Sequence, residues 1–136
     1  MAASLQKPCP CGAPAPSGEP AAYDACCGRL HRGAAQAVTA EELMRSRYSA
    51  YAVADTDHLF RTWHPRTRPD DLRLDPATTW TGLRILGGTA GGPEDERGTV
   101  EFEAHYETPA GEGVLHEDSR FQRRAGRWVY VDGKVG

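Results

Sequence analysis

Residues 100–107 read VEFEAHYE, a stretch in which apolar and polar side chains alternate without a break. Successive side chains of a β-strand point to opposite faces of its sheet, and this period differs from that of a helix. The alternation therefore predicts a strand of an antiparallel sheet with one buried and one solvated face. We expect Phe102 to face the core, and both His105 and His58, the latter on a predicted helix, to be solvated.

Three more strands are predicted around this one. The first spans residues 80–86, and the glycine-rich segment 87–98 that follows is predicted to be a mobile loop. A hairpin loop at residues 109–113 leads into a strand at residues 114–123, and the last strand begins at Trp128 after a turn. The chain therefore ends in a run of antiparallel strands.

Helical patterns precede the strands. Thr39 and Glu42 have the spacing of a capping box, in which the threonine hydroxyl caps the helix and the glutamate reaches back. The following apolar residues share one helix face, and Arg47 lies within that stripe. A second helix is predicted at residues 56–63, and a helical turn at residues 69–72. Helices followed by antiparallel strands predict an α+β fold with helices packed on one face of a sheet.

All four cysteines lie in the first quarter of the chain, as a Cys-Pro-Cys pair at residues 9–11 and an adjacent pair at residues 26–27. Two close pairs of thiolates suit a tetrahedral zinc ion. His31 lies on the same helical face as the second cysteine of the adjacent pair, which leaves five candidate ligands for four positions. The alternatives are two disulfides, which the reducing cytosol disfavours, and reduced cysteines without a metal.

The segments CPCG at residues 9–12 and YDACCGRL at residues 23–30 resemble the SEC-C zinc motif, which also occurs at the C-terminal end of the SecA translocation ATPase. The resemblance implies a closed, structural zinc site, with His31 as an alternate fourth ligand. The ligands that it implies are Cys9, Cys11, Cys26 and Cys27. The loop at residues 13–20 is longer than in the motif, and its prolines and glycine indicate a surface loop. We expect metal removal to unfold residues 9–31 and to leave the remainder folded.

Further blocks of the chain resemble the YchJ family of bacterial proteins, and these blocks are residues 43–51, 62–65, 119–121 and 128–133. In that family a SEC-C motif precedes a cone-shaped domain related to nuclear transport factor 2 (NTF2) and cystatin. The resemblance implies a zinc knuckle in residues 1–35. It implies that in residues 36–136 helices pack on a bent antiparallel sheet that leaves a pocket at its open end. The family has no established biochemical activity.

Side chains from the predicted helices and strands would line such a pocket. The candidates are Arg47, Tyr48, Tyr51, Trp63, His64, Glu117, Ser119, Trp128, Tyr130 and Asp132. Strand parity turns Glu117 inward, within reach of Arg47. Two interpretations compete. Glu117 or Asp132 is a base or a ligand anchor, or Arg47 and Glu117 form a buried ion pair that fixes the helix against the sheet. We favour the ion pair, because a buried arginine needs neutralising.

Composition narrows the function classes. The chain of 136 residues has a net charge of −3, which argues against nucleic-acid binding across its surface. Four arginines near residues 120–127 are predicted to form a solvated hairpin end. No apolar run is long enough to span a bilayer and no apolar leader is present, so we expect a cytoplasmic protein without membrane contact.

These observations favour a non-enzymatic, cytoplasmic zinc protein whose knuckle contacts a protein partner. The alternative is a small-molecule-binding protein or enzyme that uses the pocket of the cone. No nucleophile elbow, phosphate-binding glycine loop or metalloprotease motif occurs, so no catalytic residue is assigned.

Overall fold

The computed structural model describes residues 7–136, so the first six residues of the predicted zinc segment lie outside this range. The helical elements in chain order are a 3-10 turn (Tyr23–Ala25), α1 (Cys27–His31), α2 (Ala40–Val53) and α3 (Thr56–Arg61). The strands are β1 (Thr79–Ala90), β2 (Arg97–Thr108), β3 (Gly111–Arg124) and β4 (Arg127–Val135). Within residues 7–136, no helix has the length and hydropathy that crossing a membrane requires.

The four strands form one open antiparallel sheet in the order β1-β2-β3-β4. Two short hairpin turns, at residues 109–110 and 125–126, join the last three strands. The pairing register shifts twice between β1 and β2 and once between β3 and β4. Such β-bulges bend a strand and increase its twist. The sheet, with the helices that precede it in the chain, confirms the predicted α+β fold.

The prediction of a loop at residues 87–98 is wrong in its length. Strands β1 and β2 both continue into this segment and leave only residues 91–96 as the connection. Gly98 is required here because the backbone of the paired strand approaches closely. A Cβ at this position would lie 2.7 Å from the backbone nitrogen of Gly91. The glycines therefore mark a close approach of two strands, and the sequence alone does not distinguish this from flexibility.

Helix α2 begins where the capping pattern predicts. Thr39 Oγ1 accepts a hydrogen bond from Glu42 N at 3.1 Å, and the Glu42 carboxylate accepts one from Val38 N at 2.7 Å. Burial extends beyond the apolar stripe, since Ser46 and Ser49 are also fully buried. The sheet packs against one side of α2, and α1 and α3 pack against other parts of its surface. This double coverage explains why polar residues of the helix lie inside.

Helix α3 is shorter than predicted, and the described residues 69–72 form no helix. After α3 the chain pairs with the edge of the sheet. Tyr130 N donates to Thr62 O and His64 N donates to Tyr130 O, both at 2.8 Å. The helix ends here because these backbone groups bond to β4 instead of extending the helical ladder.

The cysteine-bearing segment packs into the same core as the sheet. Cys9, Cys11 and Cys27 are buried and belong to one apolar cluster with Leu43 and Met44 of α2. The boundary between residues 35 and 36 stays a prediction, but the two predicted units share one core. Folding of the cysteine segment and of α2 are therefore linked.

Two buried histidines join the three helices. His31 of α1 donates from Nε2 to Ser46 O at 2.8 Å and bonds through Nδ1 to the Tyr23 hydroxyl at 2.6 Å. His58 of α3 bonds through Nε2 to Ser46 Oγ at 2.9 Å, and the two imidazole rings lie 4.6 Å apart. Ser46 Oγ donates its own proton to Leu43 O, so His58 Nε2 is the donor. Within the described chain, His58 Nδ1 is thus a buried acceptor without a partner.

The expectation that His58 is solvated is therefore wrong, since only 3% of the residue is exposed. Burial is the main cause that lowers its pKa from 6.5 to about 3, and nearby His31, Arg61 and Arg47 add to this effect. The folded protein holds His58 in its neutral form at pH values where an unfolded chain would protonate it.

We expect the free energy of unfolding to fall as the pH drops below 6.5, and to fall less in the His58→Gln variant. Between pH 6.5 and about 3, His58 is protonated in the unfolded chain but neutral in the folded protein. The contribution of His58 to the free energy of unfolding is therefore complete above pH 6.5 and decreases as the pH falls below this value. The loss reaches about 2 kcal/mol at pH 5. Urea unfolding at two pH values measures it.

The glutamine keeps a donor for Ser46 but does not titrate. The side chain of His105 is 45% exposed, so His105→Gln is the matched control and is expected to retain the wild-type pH dependence. Equal pH dependence in wild type and His58→Gln would contradict the role given to His58.

Candidate metal centre and sheet cavity

The four cysteine side chains converge on one point. Their Sγ atoms all lie within 4.8 Å of one another, and those of Cys11 and Cys26 are 3.7 Å apart. All four thiols are free, so the disulfide alternative is not what the structure shows. Cys26 is partly exposed, whereas the other three are buried. Four thiols at these separations could hold one metal ion.

Backbone pairing in the preceding loop positions the first cysteine pair. Cys9 N donates to Ala21 O at 2.8 Å, and Ala21 N donates to Ala13 O at 3.0 Å. The extra length of the loop forms a tip beyond these bonds, closed by Ala15 N donating to Glu19 O at 2.7 Å. The additional residues therefore project away from the sulfurs, as expected for an extended surface loop.

The second cysteine pair lies at the start of α1. Cys26 has a non-helical backbone conformation, and the helix begins at Cys27. Gly28 follows, where a Cβ would lie 2.8 Å from the carbonyl oxygen of Tyr23. The glycine thus lets Tyr23 pack against the helix that carries the sulfurs.

The thiols perturb each other's protonation. Interactions with the thiols of Cys11, Cys26 and Cys27 lower the pKa of Cys9 far below its usual range, and interactions with those of Cys26 and Cys27 lower the pKa of Cys11 to about 7. The pKa values of Cys26 and Cys27 are raised, chiefly by their interaction with the thiol of Cys11. Two thiols thus lose their protons readily, whereas the other two retain them. A bound cation would stabilise the negative charge and let all four act as thiolates.

Polar groups of α2 and the loop surround the sulfurs. Ser49 Oγ lies 3.6 Å from Cys9 Sγ, and Ala13 N donates to Cys11 Sγ at 3.5 Å. Arg45 Nη1 donates to the backbone oxygen of Cys11 at 2.8 Å. Donors around a sulfur ligand stabilise its negative charge and fix its orientation. Sequence reasoning missed Arg45, because only the packing of the cysteine segment brings this side of α2 into contact.

His31, the alternate ligand, lies outside the group of sulfurs. Its two ring nitrogens bond to the Tyr23 hydroxyl and to the Ser46 carbonyl. The Asp55 carboxylate lies 3.8 Å from Nδ1 of His31. In this arrangement His31 anchors α1 to α2, and the sulfur of Cys27 completes the group of four.

A cavity of about 220 Å³ lies between α2 and the inner face of the sheet. Seven of the ten pocket candidates line it, and they are Arg47, Tyr48, Tyr51, Trp63, Glu117, Ser119 and Tyr130. Six further lining residues were not among the candidates, and they are Met44, Trp80, Phe102, Ala104, Leu115 and Phe121. Strand parity could have identified most of these, since Phe102, for example, pairs directly with Glu117.

Arg47 is buried in the cavity wall with only 5% of the residue exposed. Its Nη1 donates to Leu59 O at 3.0 Å and to Thr62 Oγ1 at 2.8 Å. The guanidinium carbon lies 4.8 Å from the ring centroid of Trp63 and 4.6 Å from that of Tyr130, which is cation–π geometry. Burial lowers the pKa of Arg47 to about 10, so the side chain stays charged at neutral pH.

The buried ion pair that the sequence favoured is wrong. Within the described chain, no Arg47 nitrogen lies within 4.0 Å of the Glu117 carboxylate. Glu117 Oε2 instead accepts hydrogen bonds from Ser119 Oγ at 2.6 Å and from the Tyr130 hydroxyl at 3.0 Å. Gly133 makes room for this carboxylate, because a Cβ there would lie 2.6 Å from Glu117 Cδ. Each charged group is thus held by neutral partners.

The cavity does not include Asp132, which sequence reasoning placed in the pocket. The cause is the β-bulge between β3 and β4. Phe121 pairs with Tyr130, but Arg120 pairs with Asp132, so the alternation along β4 reverses. Asp132 therefore lies on the outer face, where Arg120 Nη2 contacts its carboxylate at 2.6 Å and lowers its pKa.

Trp128 and His64 also lie outside the cavity. Trp128 is buried further along β4, where Nε1 donates to Val38 O at 3.1 Å and the Arg123 guanidinium lies over its ring. His64 is in the turn after α3, and its Nδ1 accepts from Arg66 N at 3.0 Å. Although His64 and Trp128 are close in sequence to Trp63 and Tyr130, only the latter two line the cavity.

Comparison with known proteins agrees with this architecture. Residues 39–133 match the family described as "YchJ, middle NTF2-like domain". A UPF0225 protein of Streptomyces avermitilis is 54% identical over 126 residues, which cover 93% of this chain and 83% of that protein. A UPF0225 protein of Streptomyces coelicolor is 52% identical over 127 residues, which cover 93% and 94%.

Two solved structures are similar over most of the chain. The solution structure of a SEC-C motif containing protein from Rhodopseudomonas palustris has a TM-score of 0.78 at 35% identity and covers 95% of this chain and 98% of that one. The crystal structure of a SEC-C motif containing protein from Psychrobacter arcticus has a TM-score of 0.77 at 29% identity and covers 97% and 84%. The chain belongs to the YchJ family, with an NTF2-like middle domain preceded by a SEC-C-like cysteine cluster.

Proposed function

We propose that this protein is a small-molecule-binding protein whose fold a structural zinc ion stabilises. The zinc proposal rests on the sulfur geometry. A tetrahedral ion with zinc–sulfur distances of about 2.3 Å has sulfurs about 3.8 Å apart. The Cys11 and Cys26 sulfurs are already 3.7 Å apart, and all four fall within 4.8 Å. Four protein ligands leave no open position for water or substrate, which is typical of structural sites.

The position of the cluster supports a stabilising role for the metal. Three of the four ligands are part of the core that also contains Leu43 and Met44. The short α1 lacks the length to persist alone, so its contacts with α2 depend on what holds its first residue. Zinc bound at Cys27 would fix that residue and, through His31, the contact with Ser46.

The ligand-binding proposal rests on one observation: Arg47 and Glu117 line the same cavity without forming a direct ion pair. An ion pair would indicate that the two residues serve the fold alone, since buried charges are retained only when they are paired or used. Two separately supported charges of opposite sign beside an open volume are typical of a binding site. We assign no catalytic residue.

A protein partner at the knuckle is the second candidate. The loop tip supports it, because Pro14, Pro16 and the residues 17–20 are exposed, whereas the sulfurs face inward. Reduced thiols that bind zinc persist in a reducing compartment, which fits the cytoplasm. A pull-down with the loop tip intact and altered tests the partner, and a localisation experiment tests the compartment.

We expect the protein isolated from cells to carry one zinc ion per chain, and Cys27→Ser to lose it. Loss of a structural zinc removes several kcal/mol, so Tm should fall by about 10 °C or more. Because the core is shared, the amide signals of α2 should change as well as those of residues 9–31. Native mass spectrometry, thermal unfolding and NMR measure these effects.

Ser17→Ala in the loop tip is the matched control and should keep both the metal and the Tm. A zinc-free wild-type protein with an unchanged melting temperature would contradict the proposal.

We expect small organic molecules to bind in the cavity and to shift the amide signals of residues around it in an NMR fragment screen. Ala104→Leu adds volume to the cavity wall and should abolish these shifts, because the space for a ligand is filled. Val114→Leu on the exposed face of β3 is the control and should leave binding intact. If fragments bind Ala104→Leu as well as wild type, the cavity is not the binding site.

A further inference from the structure

The size of the cavity limits its occupant. Its volume of about 220 Å³ exceeds the roughly 150 Å³ in which an apolar protein cavity binds benzene. It is smaller than the roughly 300 Å³ at which pockets for drug-sized ligands begin. The space therefore suits one ring with small substituents.

The walls between the polar groups are apolar and largely aromatic. Trp80, Phe102 and Phe121 line the space, and Tyr48 and Tyr106 pack edge-on against Trp80. Ring edges and faces at such walls favour an aromatic partner in offset or edge-to-face contact. The volume of the cavity and the aromatic side chains that line it therefore both favour a ligand with one aromatic ring.

Arg47 has unused hydrogen-bonding capacity in the cavity wall. Both of its bonds to the described chain leave from Nη1, while an arginine carries five N–H donors. Leu59 O and Thr62 Oγ1 bind Nη1. The rings of Trp63 and Tyr130, whose centroids are 5.2 Å apart, pack side by side against the guanidinium. The remaining donors are available to a ligand, and a carboxylate matches the geometry of a guanidinium edge.

Trp63 provides a second donor without a partner. Its indole Nε1 is fully buried and makes no hydrogen bond within residues 7–136. Native proteins rarely leave a buried donor unsatisfied, so this N–H indicates an acceptor that the described residues do not supply, and other atoms of Trp63 line the cavity. Trp63 lies against the Arg47 guanidinium, so one ligand group near both residues could serve both.

Glu117 provides an acceptor elsewhere in the same wall. Both of its hydrogen bonds, from Ser119 and Tyr130, go to Oε2. Oε1 has no hydrogen-bond partner in the described part of the chain, and a carboxylate oxygen can accept from a ligand hydroxyl or amino group. The cavity therefore offers donors at Arg47 and Trp63 and an acceptor at Glu117.

We propose that the cavity binds a one-ring aromatic acid that carries a hydroxyl or amino group. The ligand carboxylate bonds to the free edge of Arg47 and to Trp63 Nε1–H, the ring packs against Phe102 and Phe121, and the hydroxyl or amino group donates to Glu117. This inference rests on the proposed ligand-binding function of the cavity and adds the chemical class of the ligand.

The test compares 4-hydroxybenzoate with two close analogues, measured by NMR titration of the folded, zinc-containing protein. 4-Hydroxybenzamide has the same shape without the charge, and benzoate lacks the hydroxyl donor. We expect 4-hydroxybenzoate to bind about tenfold tighter than the amide and several-fold tighter than benzoate. The indole Nε1–H signal of Trp63 should move in the titration, because it gains an acceptor.

Variants assign the contacts to residues. Trp63→Phe keeps a ring and removes only the N–H, so it should weaken 4-hydroxybenzoate binding about three- to tenfold. Arg47→Met should remove the preference for 4-hydroxybenzoate over 4-hydroxybenzamide. Glu117→Gln should remove the preference for 4-hydroxybenzoate over benzoate. Exposed Arg84→Met is the matched control for loss of an arginine and should change neither preference. Trp63→Phe keeps the test decisive if Arg47→Met does not fold.

The outcomes separate the two proposals. If the acid and the amide bind equally well in the cavity, or the Trp63 indole signal does not move, the ligand class is wrong but the cavity still binds small molecules. If no one-ring compound, charged or neutral, shifts any amide signal around the cavity, the proposed binding function fails together with the ligand class.

Discussion

Helix α2 is buried from two directions, and the rest of the structure depends on how its polar groups are satisfied there. The sheet covers the apolar stripe, while the cysteine segment and α3 cover the side that carries Ser46 and Ser49. Buried hydroxyls and carbonyls must find partners. His31 and His58 supply them for Ser46, and Ser49 lies against the sulfur of Cys9. The cysteine cluster is therefore part of the fold and not an appendage to it.

The cavity on the other side of α2 follows from the same arrangement. Arg47 is held by the end of α3, because the chain after that helix pairs with β4 and brings Leu59 O and Thr62 Oγ1 into reach. Glu117 is held by hydroxyl groups of β3 and β4. Because different elements hold the two side chains, no direct ion pair fills the space between the helix and the sheet.

The sequence predicted the parts of this structure that depend on local periodicity. Alternation located the strands, and the capping pattern located the start of α2, because both are set by residues next to each other in the chain. The four sulfurs were identified because their spacing resembles a known motif. Seven of the ten pocket candidates do lie around one cavity, since strand parity holds along uninterrupted strands.

What the sequence missed depends on contacts between distant segments. The β-bulge that turns Asp132 outward leaves no local pattern, and a single shifted pair reverses every later position. The burial of His58 and the free edge of Arg47 are set by how α1 and α3 pack on α2. The glycines near residue 98 were interpreted as flexible because close backbone approach has the same composition.

The loop tip beyond the first cysteine pair has a practical consequence. Ala15 N and Glu19 O close a small exposed turn whose residues lie outside the core. Exposed turns with ends already held together tolerate inserted sequence better than buried segments, since the added closure entropy is small. An epitope tag or a fluorescent reporter inserted between residues 16 and 18 would then label the protein beside its cysteine cluster.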